Sequence, residues 1–294
     1  MLVKNKNFNH FKVHTQYSIC EGAIKIDELA DFCKSNKIKS LGLADSYNLC
    51  GALEFSEKIS KSGTQPIVGT QINLKLKDII GRISLYATSE VGYKNLTKLS
   101  SSSYLKNNAT TDPSCSLQDL LNNNEGIILL TGNYTNFFGK LFYKNKLKDF
   151  EGILNTFKTK FKDRLYLEIQ RHNEVEEKNF ENYLFNISKS LQLPLIASQE
   201  VFYLNKEMYE AHDALVCIGE KRFVDDRNRF RYSDQHYLKS HKELEKLYSD
   251  LPEALENNYN FHLRFNFKPK KSKPILPSIA SKESSSPEEE LSKL

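Results

Sequence analysis

The chain has 294 residues, is 39% hydrophobic and 27% charged, and carries a formal net charge of +5 at pH 7. That supplies a core for one large α/β domain or two smaller ones, and the mixed, mildly basic charge reads as a solvated Lys-rich surface that leaves nucleic acid open as a neighbour. No run of 18 apolar residues is present, the first residues lack the apolar core of a signal peptide, and five cysteines without a CxxC pair fit reduced thiols, so the expectation is a cytoplasmic protein with no membrane partner.

In chain order, a first strand from His10 alternates Phe11 and Val13 with polar residues and runs out through His14 into a loop ending at Ser18. Ile26, Leu29, Ala30 and Cys33 then recur as one face of a helix, with Asp27 and Glu28 in its first turn. A short strand, Ser40–Ala44, leads to Asp45, and Ala52, Phe55 and Ile59 mark a second helix. Strands are predicted at 66–69, 71–74 and 82–87, a helix face at Tyr93, Leu96 and Leu99, a helix at 117–121, a strand at 127–130 and helical segments up to about Phe161. Leu165–Ile169 is a further strand, ending near His172. Phe180, Leu184, Ile187 and Leu191 make an amphipathic helix, and Pro194–Ser198 is a late strand before Glu200 and Phe202.

Repeated strand-then-helix order predicts parallel strands joined by helical crossovers, closed into a distorted barrel. The barrel is placed at residues 8–220. An extension with two short helices follows over 221–274, and a linker with the start of a helix over 275–294. Ser286, Pro287 and the acids Glu288–Glu290 form the capping signal of that helix, which has one turn before Leu294; it is expected to belong to a longer protein.

Four polar residues fall at predicted strand ends: His14, Asp45, His172 and Glu200. Two imidazoles and two carboxylates can ligate zinc, manganese or iron, and each can equally be a hydrogen-bonded structural group. His212, His236, His241 and His262 are expected outside this ring in structural roles. The lysines from Lys268 to Lys273 read either as a solvated linker or as phosphate contacts.

The segments His10–Ser18 with Glu21-Gly22, Leu41–Ala52, Pro66–Gly69, Gly92–Leu96, Leu165–His172, Pro194–Ser198, Ala211–Ile218, Arg231–Ser240 and Asp250–Asn257, taken in this order, resemble PHP domains. The resemblance spans nearly the whole chain and is closest to the N-terminal PHP domain of bacterial replicative polymerases, the alpha subunits of DNA polymerase III. It implies a distorted, TIM-like seven-stranded β/α barrel with a C-terminal helical and linker extension. In active family members it also implies a cluster of up to three metal ions at the strand ends that hydrolyses phosphoesters.

The chain departs from that pattern. Lys12-Val13-His14 stands for the His-x-His of the first motif, and Asp45-Ser46 for Asp-His. Gln71 replaces an acid, Arg82 a histidine and Phe202 a terminal histidine, with Glu200 in place of Asp. Lysine and arginine offer no lone pair to a metal at neutral pH. At most one weakly held ion is expected, at His14, Asp45, His172 and Glu200, and Lys12 and Arg82 are expected to pair with Asp45 and Glu200 instead.

The resemblance therefore implies a catalytically silent PHP segment of a DNA-directed DNA polymerase. Its partners would be the rest of the polymerase chain, a proofreading exonuclease subunit and other replisome subunits, with template-primer DNA reached through the parent protein. It implies no cofactor for this segment, the magnesium belonging to the parent's palm region. The alternative is a metal-dependent phosphoesterase or 3′-5′ exonuclease with a reduced metal site.

Overall fold

In the computed structural model, residues 7–107, 112–274 and 292 are described. The helix expected at 286–294 lies outside them, apart from residue 292. The core strands are β1 (His10–Val13), β2 (Ser40–Ser46), β3 (Gln65–Leu76), β4 (Ile79–Ala87), β6 (Ile127–Leu130), β7 (Leu165–Ile169), β8 (Leu195–Ala197) and β9 (Glu200–Val201), with a short β5 (Ser114–Ser116) beside β3. They hydrogen-bond in the order β8-β7-β6-β4-β3-β2-β1-β9.

The strands β8 and β9 are consecutive pieces of one run. Ser198 N donates to the O of Ile169, the last residue of β7 (3.0 Å), and His14 N donates to Val201 O (2.9 Å), so this run bridges the two edges of the sheet. Counting it as one, the chain forms a closed seven-stranded barrel.

Two parts differ from the sequence reading. The strand β3 is a single long strand, and β4 runs antiparallel to both β3 and β6. Only Lys77 and Asp78 separate β3 from β4, and a two-residue connection leaves room for a hairpin but not for a crossover. Lys77 takes the left-handed backbone (φ 53°) that this tight turn requires.

Strand β1 also breaks simple alternation. His10 pairs with Leu41 and Val13 with Leu43, so β1 holds one residue more than its partner, which makes a bulge. Phe11 accordingly joins the interior cluster, while Val13 packs outside the barrel with residues of α1 (Ile26–Ser35) and α2 (Ala52–Lys61).

Along the other staves, alternate residues face in and out. Leu165, Leu167 and Ile169 of β7 lie in the outer core with Phe150, Phe157 and Phe161 of the helix Leu147–Phe161 and Phe180, Leu184 and Ile187 of the last crossover helix, Glu177–Leu191. Tyr166 faces inward, among Ala44, Ile67, Tyr86, Ile128, Leu130 and Ile196.

The floor of the barrel is closed from beyond residue 220, where the sequence ends the barrel. The helices at 241–247 and 252–261 pack Leu244, Tyr248, Ala254 and Leu255 into the outer core. Phe261 and Phe265 enter the interior cluster, with Phe261 4.4 Å from Phe11 between ring centroids. An apolar plug at one end leaves the other end, where the parallel strands finish, as the polar mouth. Among the described residues, no helix is long and apolar enough to cross a membrane.

Candidate functional site at the barrel mouth

Lys12 is carried inward by the β1 bulge and is fully buried. Its ammonium lies 3.3 Å from both carboxylate oxygens of Glu168 and 3.8 Å from Oε1 of Glu200. Glu168 comes from β7, two residues from the inward-facing Tyr166, and it also accepts from Gln170 Nε2 (2.7 Å) and Ser198 Oγ. Glu200 accepts from His14 Nε2 (3.0 Å) and from Gln71 Nε2 of β3. Burial works to raise the Glu200 pKa, but the Lys12 charge and the His14 hydrogen bond and charge outweigh it and hold the carboxyl well below its ordinary range. The result is an internal ion pair in which both Glu168 oxygens and Glu200 Oε1 are engaged, and further hydrogen bonds of this kind are what let a buried pair be tolerated.

Arg82 does not reach Asp45 or Glu200. It forms a paired contact with Glu21, with Nη1 3.1 Å from Oε2, and its Nε donates to the Tyr47 hydroxyl (2.8 Å). Burial raises the Glu21 carboxyl, yet Arg82 offsets that and leaves it lowered overall. Ser46 donates to the same carboxylate (2.6 Å) and lies 3.4 Å from His14 Nδ1.

Asp45 meets no cation in this arrangement. It accepts from Thr15 N (2.6 Å), Thr15 Oγ1 (2.8 Å) and Ser18 Oγ (2.7 Å), pinning the loop after β1, and burial keeps its pKa raised despite these donors. Ser18 also meets His14 Nδ1 at 3.0 Å, which fixes the imidazole between a hydroxyl and the Glu200 carboxylate.

Phe202 stacks on His14 with ring centroids 4.4 Å apart. His172 stacks face to face on His236 at 3.8 Å, and both rings approach the Glu200 carbonyl at 3.3 Å. His236 therefore stands at the mouth and not outside it. Burial first, and then the neighbouring His172, lower its pKa well below the ordinary histidine value.

Of the expected residues, the structure brings together Lys12, His14, Gln71 and Glu200, with Phe202 and His172 against them. It sets Asp45 into the loop and turns Arg82 to Glu21. The four residues His14, Asp45, His172 and Glu200 do not surround one point, and no group of three His, Cys, Asp or Glu among the described residues is placed to hold a metal.

Sequence reasoning missed Glu168, Glu21 and His236. The first was within reach, because Leu165, Leu167 and Ile169 point outward and period two sends Glu168 inward. The other two lie in loops, where no period operates.

The PHP domain family matches residues 10–172, more than half of the chain, from β1 to the histidine beyond β7. The chain belongs to the PHP family. Among relatives of this PHP chain, the DNA polymerase III subunit alpha of Caulobacter vibrioides is 34% identical over 301 residues, covering 98% of this chain and 26% of that protein. That of Rickettsia felis is 35% identical over 287 residues, covering 94% and 23%. The chain thus spans about a quarter of the length of these curated relatives. Among solved structures, a candidate metal-dependent phosphoesterase from Bifidobacterium adolescentis aligns at a TM-score of 0.48 and 11% identity, over 67% of this chain and 88% of that one.

Proposed function

We propose that this PHP chain is the segment of a replicative DNA-directed DNA polymerase, the alpha subunit of DNA polymerase III, that serves as a catalytically silent structural domain. In this role it supports the polymerase and docks the proofreading exonuclease subunit in the cytoplasm. The observation that carries the reading is the buried Lys12 ammonium between Glu168 and Glu200. A covalently attached cation there neutralises the carboxylates without a metal.

The donor set does not fit the metal cluster that the family resemblance implies. Lys12 and Arg82 have no lone pair to give, Gln71 donates its amide to Glu200, and Asp45 is committed to three donors of the loop. The positions Lys12, His14, Asp45, Ser46, Gln71, Arg82, His172, Glu200 and Phe202 act, on this reading, as an interior polar frame that stiffens the mouth. The 34% and 35% identity to DNA polymerase III alpha subunits supports the assignment to a polymerase chain.

The test is metal analysis of the purified chain, followed by an assay on a nitrophenyl phosphodiester with added manganese. The expected result is less than one equivalent of transition metal and no turnover. Tightly held metal with hydrolysis lost in His14→Ala would establish the phosphoesterase alternative instead. Co-elution with the proofreading exonuclease subunit in gel filtration tests the docking role, and separate elution would refute it.

A further inference from the structure

Above Glu200 the mouth opens into a cavity of about 400 Å³, within the usual range for ligand pockets. Its charge opposes that of the molecule. Glu21, Asp112, Glu174, Glu200 and Glu220 line it with Arg82 and Lys140; Glu21 pairs with Arg82 and Glu200 faces Lys12 beneath, which leaves Asp112, Glu174 and Glu220 against Lys140, on a chain whose formal net charge is +5. Both cations are engaged: Arg82 pairs with Glu21 and lies over the Tyr47 ring at 4.9 Å, and Lys140 donates to Ile80 O (2.8 Å). Among the described residues, no lysine or arginine pairs with Glu174 or Glu220. Burial raises the Glu174 pKa, the mark of a carboxylate short of compensating charge.

A second, independent feature asks for a donor. His236 lines the cavity and is 2% exposed. Its Nδ1 faces the Glu200 carbonyl, which can only accept, so Nδ1 carries the ring proton and Nε2 presents a lone pair. That Nε2 has no partner. Part of the remaining wall is aromatic, where Phe230 meets Tyr232 edge-on at 4.7 Å and Tyr47 lies under Arg82; asparagine, threonine and isoleucine side chains make the rest, among them Asn136, whose Nδ2 is an unpartnered donor.

We propose that this cavity is a socket for a basic side chain, an arginine guanidinium presented by a protein partner. A guanidinium is planar, brings five N–H donors and no acceptor, and stacks on aromatic faces, which matches a site with unpaired carboxylates, an unpartnered imidazole nitrogen and an aromatic stretch of wall. A point ion suits the site less well, because no three metal-type ligands converge among the described residues. Nucleic-acid phosphate is disfavoured by the sign of the field. The proposal rests on the cavity alone and stands or falls separately from the catalytic silence and the exonuclease docking proposed above.

The test uses the full chain and fluorescein-labelled peptides, a glycine-serine pentamer with one central arginine and the same pentamer with citrulline, read by fluorescence anisotropy. The arginine peptide is expected to bind, more weakly as salt rises, and the citrulline peptide to bind at least about tenfold more weakly, the worth of a charge-assisted hydrogen bond. Glu174→Gln with Glu220→Gln, checked for unchanged melting, should weaken the arginine peptide by about tenfold or more. Nitrogen-15 NMR should show the His236 Nε2 resonance moving with the arginine peptide. Equal binding of both peptides, no binding of either, or an arginine affinity indifferent to the two substitutions would each overturn the proposal. So would displacement of the arginine peptide from this cavity by a 3′-phosphorylated oligonucleotide.

Discussion

Lys12 has no exposed surface, and Glu168 and Glu200 face its Nζ and offset the cost of burying it. Removing the charge and keeping the stem, as in Lys12→Met, leaves Glu168 buried with only the amide and hydroxyl donors of Gln170 and Ser198, and Glu200 with only His14 and Gln71. A loss of about 3–5 kcal/mol is expected in urea unfolding, the range for breaking a buried pair. Adding Glu168→Gln should recover part of that loss, because the remaining group is neutral and keeps Gln170 and Ser198 as neighbours. If the double variant were no more stable than Lys12→Met, the pair would not be the reason for the cost. At this scale the sequence carried chemical type but not partners. It showed that Lys12 and Arg82 cannot be ligands, yet gave Arg82 to the wrong carboxylates, because Glu21 approaches only when its loop folds back over the mouth.

At the scale of elements, the helix over Pro252–Phe261 does more than extend the barrel. Phe261 is 1% exposed and touches Phe11, Tyr86 and Tyr166, so it fills the floor. Phe261→Ala should cost about 3–5 kcal/mol by thermal or urea unfolding. Leu263→Ala, two residues on and 69% exposed, should stay within about 0.5 kcal/mol. The helix over His241–Leu247 begins with a reciprocal cap, in which Ser240 Oγ accepts from Glu243 N and the Glu243 carboxylate accepts from Ser240 N (2.8 Å). Ser240→Ala is expected to cost about 1 kcal/mol in the same measurement. Most helices were legible from their apolar period. The β3–β4 hairpin was not, since Lys77-Asp78 lacks the glycine of the usual Asn-Gly or Asp-Gly hairpin signal and the strand-helix rhythm suggested crossovers.

For the whole molecule, pH dependence gathers the buried titrating groups. Burial pushes His10 down to about 4 and also lowers His212 and His236. A histidine with a lowered folded pKa contributes stability that is complete above its unfolded value, near 6.5, and is lost as pH falls toward the folded value. For His10 the window runs from about 6.5 to about 4 and is worth up to about 3 kcal/mol. Glu200 and Glu21, also lowered, lose their contribution below the ordinary carboxylate range. Asp45 and Glu174 are raised and offset part of this last loss. Urea midpoints are therefore expected to be level near pH 7–8 and to fall steadily below about pH 6.5. A midpoint that rises between pH 6.5 and 5 would contradict the assignment of neutral buried histidines.

The sequence by itself determined the α/β class, the strand-then-helix order and the family resemblance, and that resemblance supplied the seven-stranded barrel as an expectation. The first two follow from side-chain type and short-range period, and the third from motifs in order, all of which the chain carries locally. Tertiary structure alone decided that a one-residue bulge turns Lys12 inward beside Glu168, that Glu21 and His236 complete the mouth, and that Phe261 and Phe265 close the floor. Those contacts join residues between about 60 and 250 positions apart. No local pattern specifies them, because they exist only once the sheet has closed on itself.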